Sequence, residues 1–237
     1  MLSVAIVGPD GAGKTSVARA LERALGRPAI YLYMGVSPES SNRVLPTTRL
    51  LRWLRRSRRA GATTPRTFGA QAPAAGSGDG AAKRLRRSLR AAAHLGNRLA
   101  EECYRQGLTW WHRKRGRVVL FDRHFFADFY TTDVEGAGRL PLSRRLHGRF
   151  LRHVYPRPDL VLYLDAPPEL LRARKQEADL ETLEAMRRNY ERLAEAGLPY
   201  VALDARQPLD AVVAEAAAVI HHFARHRALP ARAKLPA

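Results

Sequence analysis

Cysteine is nearly absent from this 237-residue sequence. The single residue, Cys103, cannot form an internal bridge, which excludes a disulfide-stapled scaffold. No run approaches the roughly 18 apolar residues that a membrane-spanning helix needs; the best candidate, 211–220, is broken by Glu215. No internal repeat is visible. No basic leader precedes the first apolar stretch, so residues 2–7 read as a strand and a cytoplasmic protein is expected. Acidic residues are also scarce, with 22 against 41 basic ones for a net charge of +19.

That deficit is concentrated. Residues 43–115 carry 18 basic and 3 acidic side chains, a net +15. Such a field attracts polyanions, so nucleic acid or an acidic surface is a candidate partner for this segment. The competing reading is a solvated basic face in a chain that uses arginine and alanine heavily throughout. From 57 to 82 the sequence is rich in Gly, Ala, Pro, Ser and Thr and almost lacks large apolar residues, so a mobile basic insertion is expected. A loose basic tail is expected over 227–237.

Five short apolar runs, 2–7, 29–34, 117–121, 159–164 and 199–203, read as buried strands. Helical spacing covers 17–25, 45–56, 82–114, 125–131, 143–154, 168–175, 180–196 and 208–225. This alternation predicts an α/β chain with a five-stranded parallel sheet and helices on both faces. The whole of 1–237 is read as one domain.

Between the first strand and the first helix stands GPDGAGKT, in which Gly8, Gly13, Lys14 and Thr15 satisfy G-x-x-x-x-G-K-[ST], the P-loop pattern. Glycines let successive N–H groups turn inward around phosphate oxygens, and the following helix offers its positive end to the same charge. Lys14 is placed to reach the β- and γ-phosphates of ATP, and the Thr15 hydroxyl to hold Mg²⁺. Asp122-Arg123 ends the third strand, where ligands gather in an open parallel sheet, as do Gly8–Thr15 and Asp165. Asp122 is suited to Mg²⁺ or its water shell, and Arg123 to phosphoryl charge. A further cluster, Arg172, Arg174 and Lys175 with Arg187 and Arg188 beyond, fits either cations closing over a nucleotide or an exposed helix face.

Together these residues resemble the thymidylate kinase family of P-loop nucleoside monophosphate kinases. The resemblance covers most of the chain outside about 36–95, through GPDGAGKT, VVLFDRH at 118–124, LVLYLDAPPELLRAR at 160–174 and LDARQPLDAV at 203–212. It implies a P-loop NTPase fold, ATP and Mg²⁺ as cofactors, a homodimer, and γ-phosphoryl transfer to a nucleoside monophosphate, most simply dTMP and ATP giving dTDP and ADP. By the same resemblance, Gly8, Asp10, Gly11, Ala12, Gly13, Lys14, Thr15 and Ser16 form the nucleotide loop, with Asp10 close to the acceptor sugar. Thr15 and Asp122 face the metal, Asp122 and Arg123 place the acceptor phosphate, and Arg174 stacks on adenine opposite a turn at Ala205 and Arg206. Lys14, Asp122, Arg123 and Arg174 are thus the catalytic candidates. Where the family carries a Ser and then a Tyr-Gln pair, this chain has Ala127, Thr131 and Thr132, and Val7 replaces an acidic residue before the loop.

Two other readings stay open at this point. One is a P-loop kinase of a nucleoside or sugar hydroxyl, for which Glu39, Asp10 or Asp128 is a candidate base. The other is a nucleotide-binding module that docks on nucleic acid or an acidic surface. His221, His222 and His226 read as a solvated helix end, because their helical phase suits shared metal ligation poorly. Trp53, Trp110 and Trp111 read as packing residues.

Overall fold

Residues Leu2–Val7 form strand β1, and all six are buried. A strand covered on both faces needs no polar alternation, which is why an unbroken apolar run can serve at the centre of a sheet. The computed structural model describes residues 2–34, 96, 100–130 and 142–227. The remaining strands are β2 (Ala29–Tyr33), β3 (Val118–Asp122), β4 (Leu160–Asp165) and β5 (Tyr200–Asp204). The helices are α1 (Lys14–Ala24), α2 (100–114), α3 (Phe125–Phe129), α4 (Leu142–His153), α5 (Pro168–Arg174), α6 (Leu180–Arg192) and α7 (Leu209–His226).

All strand pairings are parallel, in the order β2-β3-β1-β4-β5. This is the α/β architecture expected from the alternating apolar runs, with β1 in the middle. The last three strands begin and end one residue later than those runs. The sheet ladder continues past the apolar residues, pairing Asp122 with Ile6 and Tyr33 and Asp165 with Asp204. Expected helix 180–196 is α-helical only to Arg192, then tightens into a 3₁₀ turn, Leu193–Ala196, that ends at left-handed Gly197.

Period-two alternation divides the core. Leu2, Val4 and Ile6 of β1 join Val17, Leu21, Ile220 and Phe223 from α1 and α7 on one face. Ala5 and Val7 join Phe121, Phe126, Leu151 and Tyr190 on the other. α7 buries Val212, Val213, Ala216, Val219, Ile220 and Phe223, the apolar stripe of a helix lying on a sheet. At the other end of the strands, Ser3 donates from its amide and its hydroxyl to Asp159 Oδ2, each at 2.7 Å, which ties β1 to the loop entering β4.

The chain divides into two compact units, Met1–Arg43 with Arg105–Ala237, and Val44–Tyr104. The first contains the sheet and the loop after β1. Described residues of the second are 96 and 100–104, all helical. The expected basic insertion at 57–82, the helix at 45–56, the tail beyond 227, and Glu39, Trp53, Thr131 and Thr132 lie outside the described residues. The packing expected of two tryptophans is not found: Trp110 is 60% exposed and Trp111 42%. The buried face of α2 is set by Arg105, Thr109 and His112, one helical stripe that leaves positions 110 and 111 outside it.

Candidate active site

β1 ends at Val7 and the chain turns at once through Gly8–Gly13 into α1. Two of the glycines are forced by close approach. Gly8 has φ 149°, and a Cβ there would stand 2.7 Å from the Leu164 carbonyl oxygen of β4; Gly11 has φ 88°, and its Cβ would stand 2.5 Å from the Leu171 carbonyl oxygen of α5. Any side chain would push the loop off both elements. α1 has no side-chain cap and no acidic residue in its first turn, so its N-terminal dipole is left for an anion.

The loop opens onto a cleft of about 680 Å³ whose walls include Asp10, Gly11, Gly13, Lys14, Thr15 and Ser16 from the loop and α1, Asp122 and Arg123 from the end of β3, and Arg174 and Lys175 from the end of α5. Lys14 Nζ donates to the carbonyls of Gly8 (2.8 Å) and Pro9 (2.6 Å) and lies 3.7 Å from Asp10 Oδ1. Burial, reinforced by the Arg123 charge, pushes its pKa down to about 8, against the opposing pull of Asp10 and Asp122. An ammonium held only by neutral carbonyls and a carboxylate at 3.7 Å would find a stronger partner in a polyphosphate.

Thr15 Oγ1 donates to Asp122 Oδ2 at 2.5 Å, and the Tyr31 hydroxyl donates to the same oxygen at 2.9 Å. A hydroxyl and a carboxylate side by side at a phosphate loop suit Mg²⁺, which prefers hard oxygens and usually combines one or two protein ligands with phosphate and water. Among the described residues no cluster of three or more His, Cys, Asp or Glu offers an all-protein metal cage. Thr15 and Asp122 therefore fit the expected ion. Burial raises the Tyr31 pKa, and the neighbouring Asp122 carboxylate adds to it, so this phenol remains a proton donor.

Arg123 adopts left-handed backbone geometry with φ 67°, an uncommon choice for a non-glycine residue that aims its side chain back into the cleft. There it forms an ion pair with Asp10. Burial opposes the Arg123 charge, but Asp128 and Asp10 outweigh it and hold the guanidinium protonated. Burial likewise opposes ionisation of Asp10, yet Arg123, Lys14 and Lys175 keep its carboxyl below the usual range. Asp128 stands apart: burial raises its pKa despite Arg123, and its Oδ1 accepts from the Tyr190 hydroxyl at 3.1 Å.

The arginine cluster separates by role. Arg174 lines the cleft and donates from Nη1 to the Ala205 carbonyl at 2.9 Å, so it and the turn after β5 are neighbours. Arg206 itself is exposed, outside the cleft walls, and paired with Asp204 at 2.8 Å. Arg187 grips Asp165 at the end of β4 through two bonds, at 2.9 and 3.3 Å, while Arg188 reaches Glu184 on the surface. Ala12 is buried inside the loop, and Ala127 is buried on α3. Tyr31, Tyr33 and Arg19 line the cleft although the sequence reading did not single them out. The signal available was alternation, since Tyr31 and Tyr33 two residues apart on β2 must share a face.

No protein-family model matches this sequence, and no curated protein matches it. Among solved structures, a similar one is that of a deoxyadenosine kinase from M. mycoides with products dCMP and a flexible dCDP bound; it covers 94% of this chain and 100% of its own, at 14% identity and a TM-score of 0.50. That similarity concerns the fold. Together with the five-stranded parallel sheet it defines an α/β fold of the P-loop NTPase type.

Proposed function

We propose that this protein is an ATP- and Mg²⁺-dependent phosphotransferase that passes the γ-phosphoryl group to a nucleoside monophosphate, with dTMP the first acceptor to test. The observation that carries this reading is Arg123, turned into the cleft opposite Lys14 and the Thr15–Asp122 pair. A cation there is suited to the charge of an acceptor phosphate. The three carboxylates lining the cleft are committed, Asp10 to Arg123 and Lys14, Asp122 to Thr15 and Tyr31, and Glu177 to Lys175. None is poised as a base. A phosphate acceptor needs none, because catalysis then rests on positioning and charge neutralisation.

Mg²⁺ would be held by Thr15 and Asp122 and would supply charge neutralisation between the phosphates. Lys14 would bind the β- and γ-phosphates, Asp10 would lie toward the acceptor sugar, and Arg174 would flank the adenine beside Ala205. A second reading, transfer to a deoxynucleoside hydroxyl, draws support from the activity named for the deoxyadenosine kinase of similar fold. It would require a carboxylate base from among Glu39, Asp10 and Asp128, and Asp10 would have to leave Arg123 to act as one.

Coupled ADP release with ATP-Mg²⁺ separates the two readings. Turnover with dTMP, abolished in Lys14→Ala, is expected. Turnover with deoxynucleosides but with no nucleoside monophosphate would move the assignment to the hydroxyl acceptor, and no ADP release with either class would remove both.

A further inference from the structure

Within the first unit, α2 leads into the run Trp110-Trp111-His112-Arg113-Lys114-Arg115-Gly116-Arg117, which has four cations and no carboxylate. Folding alone does not call for two adjacent indoles in water. Each indole carries a cation on its face: Lys114 Nζ is 4.0 Å from the Trp110 ring centroid and the Arg115 guanidinium 3.7 Å from that of Trp111. Arg113 is used inward, pairing with Asp159 at 3.3 Å, and Arg117 reaches His112 at 3.4 Å. Lys114 and Arg115 are left exposed beside the indoles.

The Arg113–Asp159 pair joins this end of α2 to the loop that runs from α4 into β4. That neighbouring stretch has the same character. Residues 142–158 contain five arginines and no carboxylate, and they expose Leu146 and Val154. Both stretches run into the N-terminal ends of strands, whereas the nucleotide cleft opens at the C-terminal ends. One strand of five residues, about 17 Å, separates the two edges.

Exposed indoles beside cations at one helix end, next to a basic stretch that exposes aliphatic side chains, favour the interfacial zone of an anionic bilayer. Nucleic acid fits less well, because a cation already covers one face of each indole on which bases would stack, and Leu146 and Val154 offer a base nothing. No helix among the described residues is long and apolar enough to cross a membrane, so such an association would be peripheral. We infer that this edge docks on an anionic lipid surface, with Trp110 and Trp111 in the headgroup region, Lys114 and Arg115 on lipid phosphates, and the nucleotide cleft open on the far side.

The test is co-sedimentation of the full chain with vesicles of phosphatidylcholine alone, or of equal parts phosphatidylcholine and phosphatidylglycerol. Binding only to the anionic vesicles is expected. Trp110→Ser, Trp111→Ser, Lys114→Gln and Arg115→Gln combined should weaken it by roughly thirtyfold or more, the loss of two surface cations alone, with an unchanged thermal midpoint. An unchanged partition would assign the attraction to other basic segments and overturn the inference. A second measurement does not depend on that variant: in Trp53→Phe protein, brominated lipids should quench the remaining indole emission, and absence of quenching overturns the docking. Tight single-stranded DNA binding without vesicle binding overturns it in favour of nucleic acid.

Discussion

Asp122 Oδ2 accepts two hydrogen bonds, from Thr15 and from Tyr31. The second, from β2, holds the carboxylate as supporting groups commonly do around a metal ligand. Tyr31 lies outside the Thr15–Asp122 pair proposed to hold Mg²⁺, so its removal should loosen the carboxylate and spare the loop. Tyr31→Phe is expected to raise the half-saturating Mn²⁺ concentration of the nucleotide-bound protein by about tenfold, read by electron paramagnetic resonance, while metal-free nucleotide affinity stays near the parent value. Equal Mn²⁺ titrations would show that Tyr31 only packs. Thr15 was legible in the sequence because the P-loop pattern is local; Tyr31 was not, since its bond to Asp122 joins residues 91 positions apart. The left-handed turn at Arg123 was equally hidden, because nothing in an Asp-Arg dipeptide specifies positive φ.

Elements brought together along the sheet show the same division. The strands and the loop after β1 could be read from apolar runs and glycine spacing, whereas the partition of the arginines depended on where α6 lands. Arg187 reaches Asp165 from α6 and is also flanked by Glu184 at 3.2 Å and Glu191 at 3.7 Å, so it fastens α6 to the end of β4. By charge and spacing alone it was indistinguishable from Arg174, which only the family resemblance singled out and which lines the cleft. Arg187→Met should lower unfolding stability by about 1–3 kcal/mol through loss of charge-assisted bonds in a partly buried site. ATP affinity should change less than threefold or so, within the spread of substitutions remote from a site. Denaturant unfolding and calorimetric titration of the same preparation measure both. A large loss of ATP affinity at unchanged stability would place Arg187 in nucleotide binding instead.

Across the whole molecule, the buried Lys14 links folding to occupancy of the cleft. Its pKa is about 8 in the folded protein and 10.5 in an open chain. Below pH 8 both states carry the proton, and the folded state bears the full penalty of a buried charge. Between pH 8 and 10.5 the unfolded chain binds more protons, so this residue's contribution to stability rises with pH, by at most about 1.4 kcal/mol per unit. Relative to Lys14→Met, the nucleotide-free protein is therefore expected to be less stable at pH 7.5 and to close the gap by pH 10. Bound ATP should stabilise the parent and not the variant. Thermal melts across that range check both statements, and a gap independent of pH would contradict them. Gly11, finally, rests its backbone against the carbonyl of Leu171 on α5, the helix that also ends in Arg174. In the proposed binding mode both ends of a nucleotide would lie against this one short helix, so a tilt of α5 would move the base contact and the phosphate-side loop together.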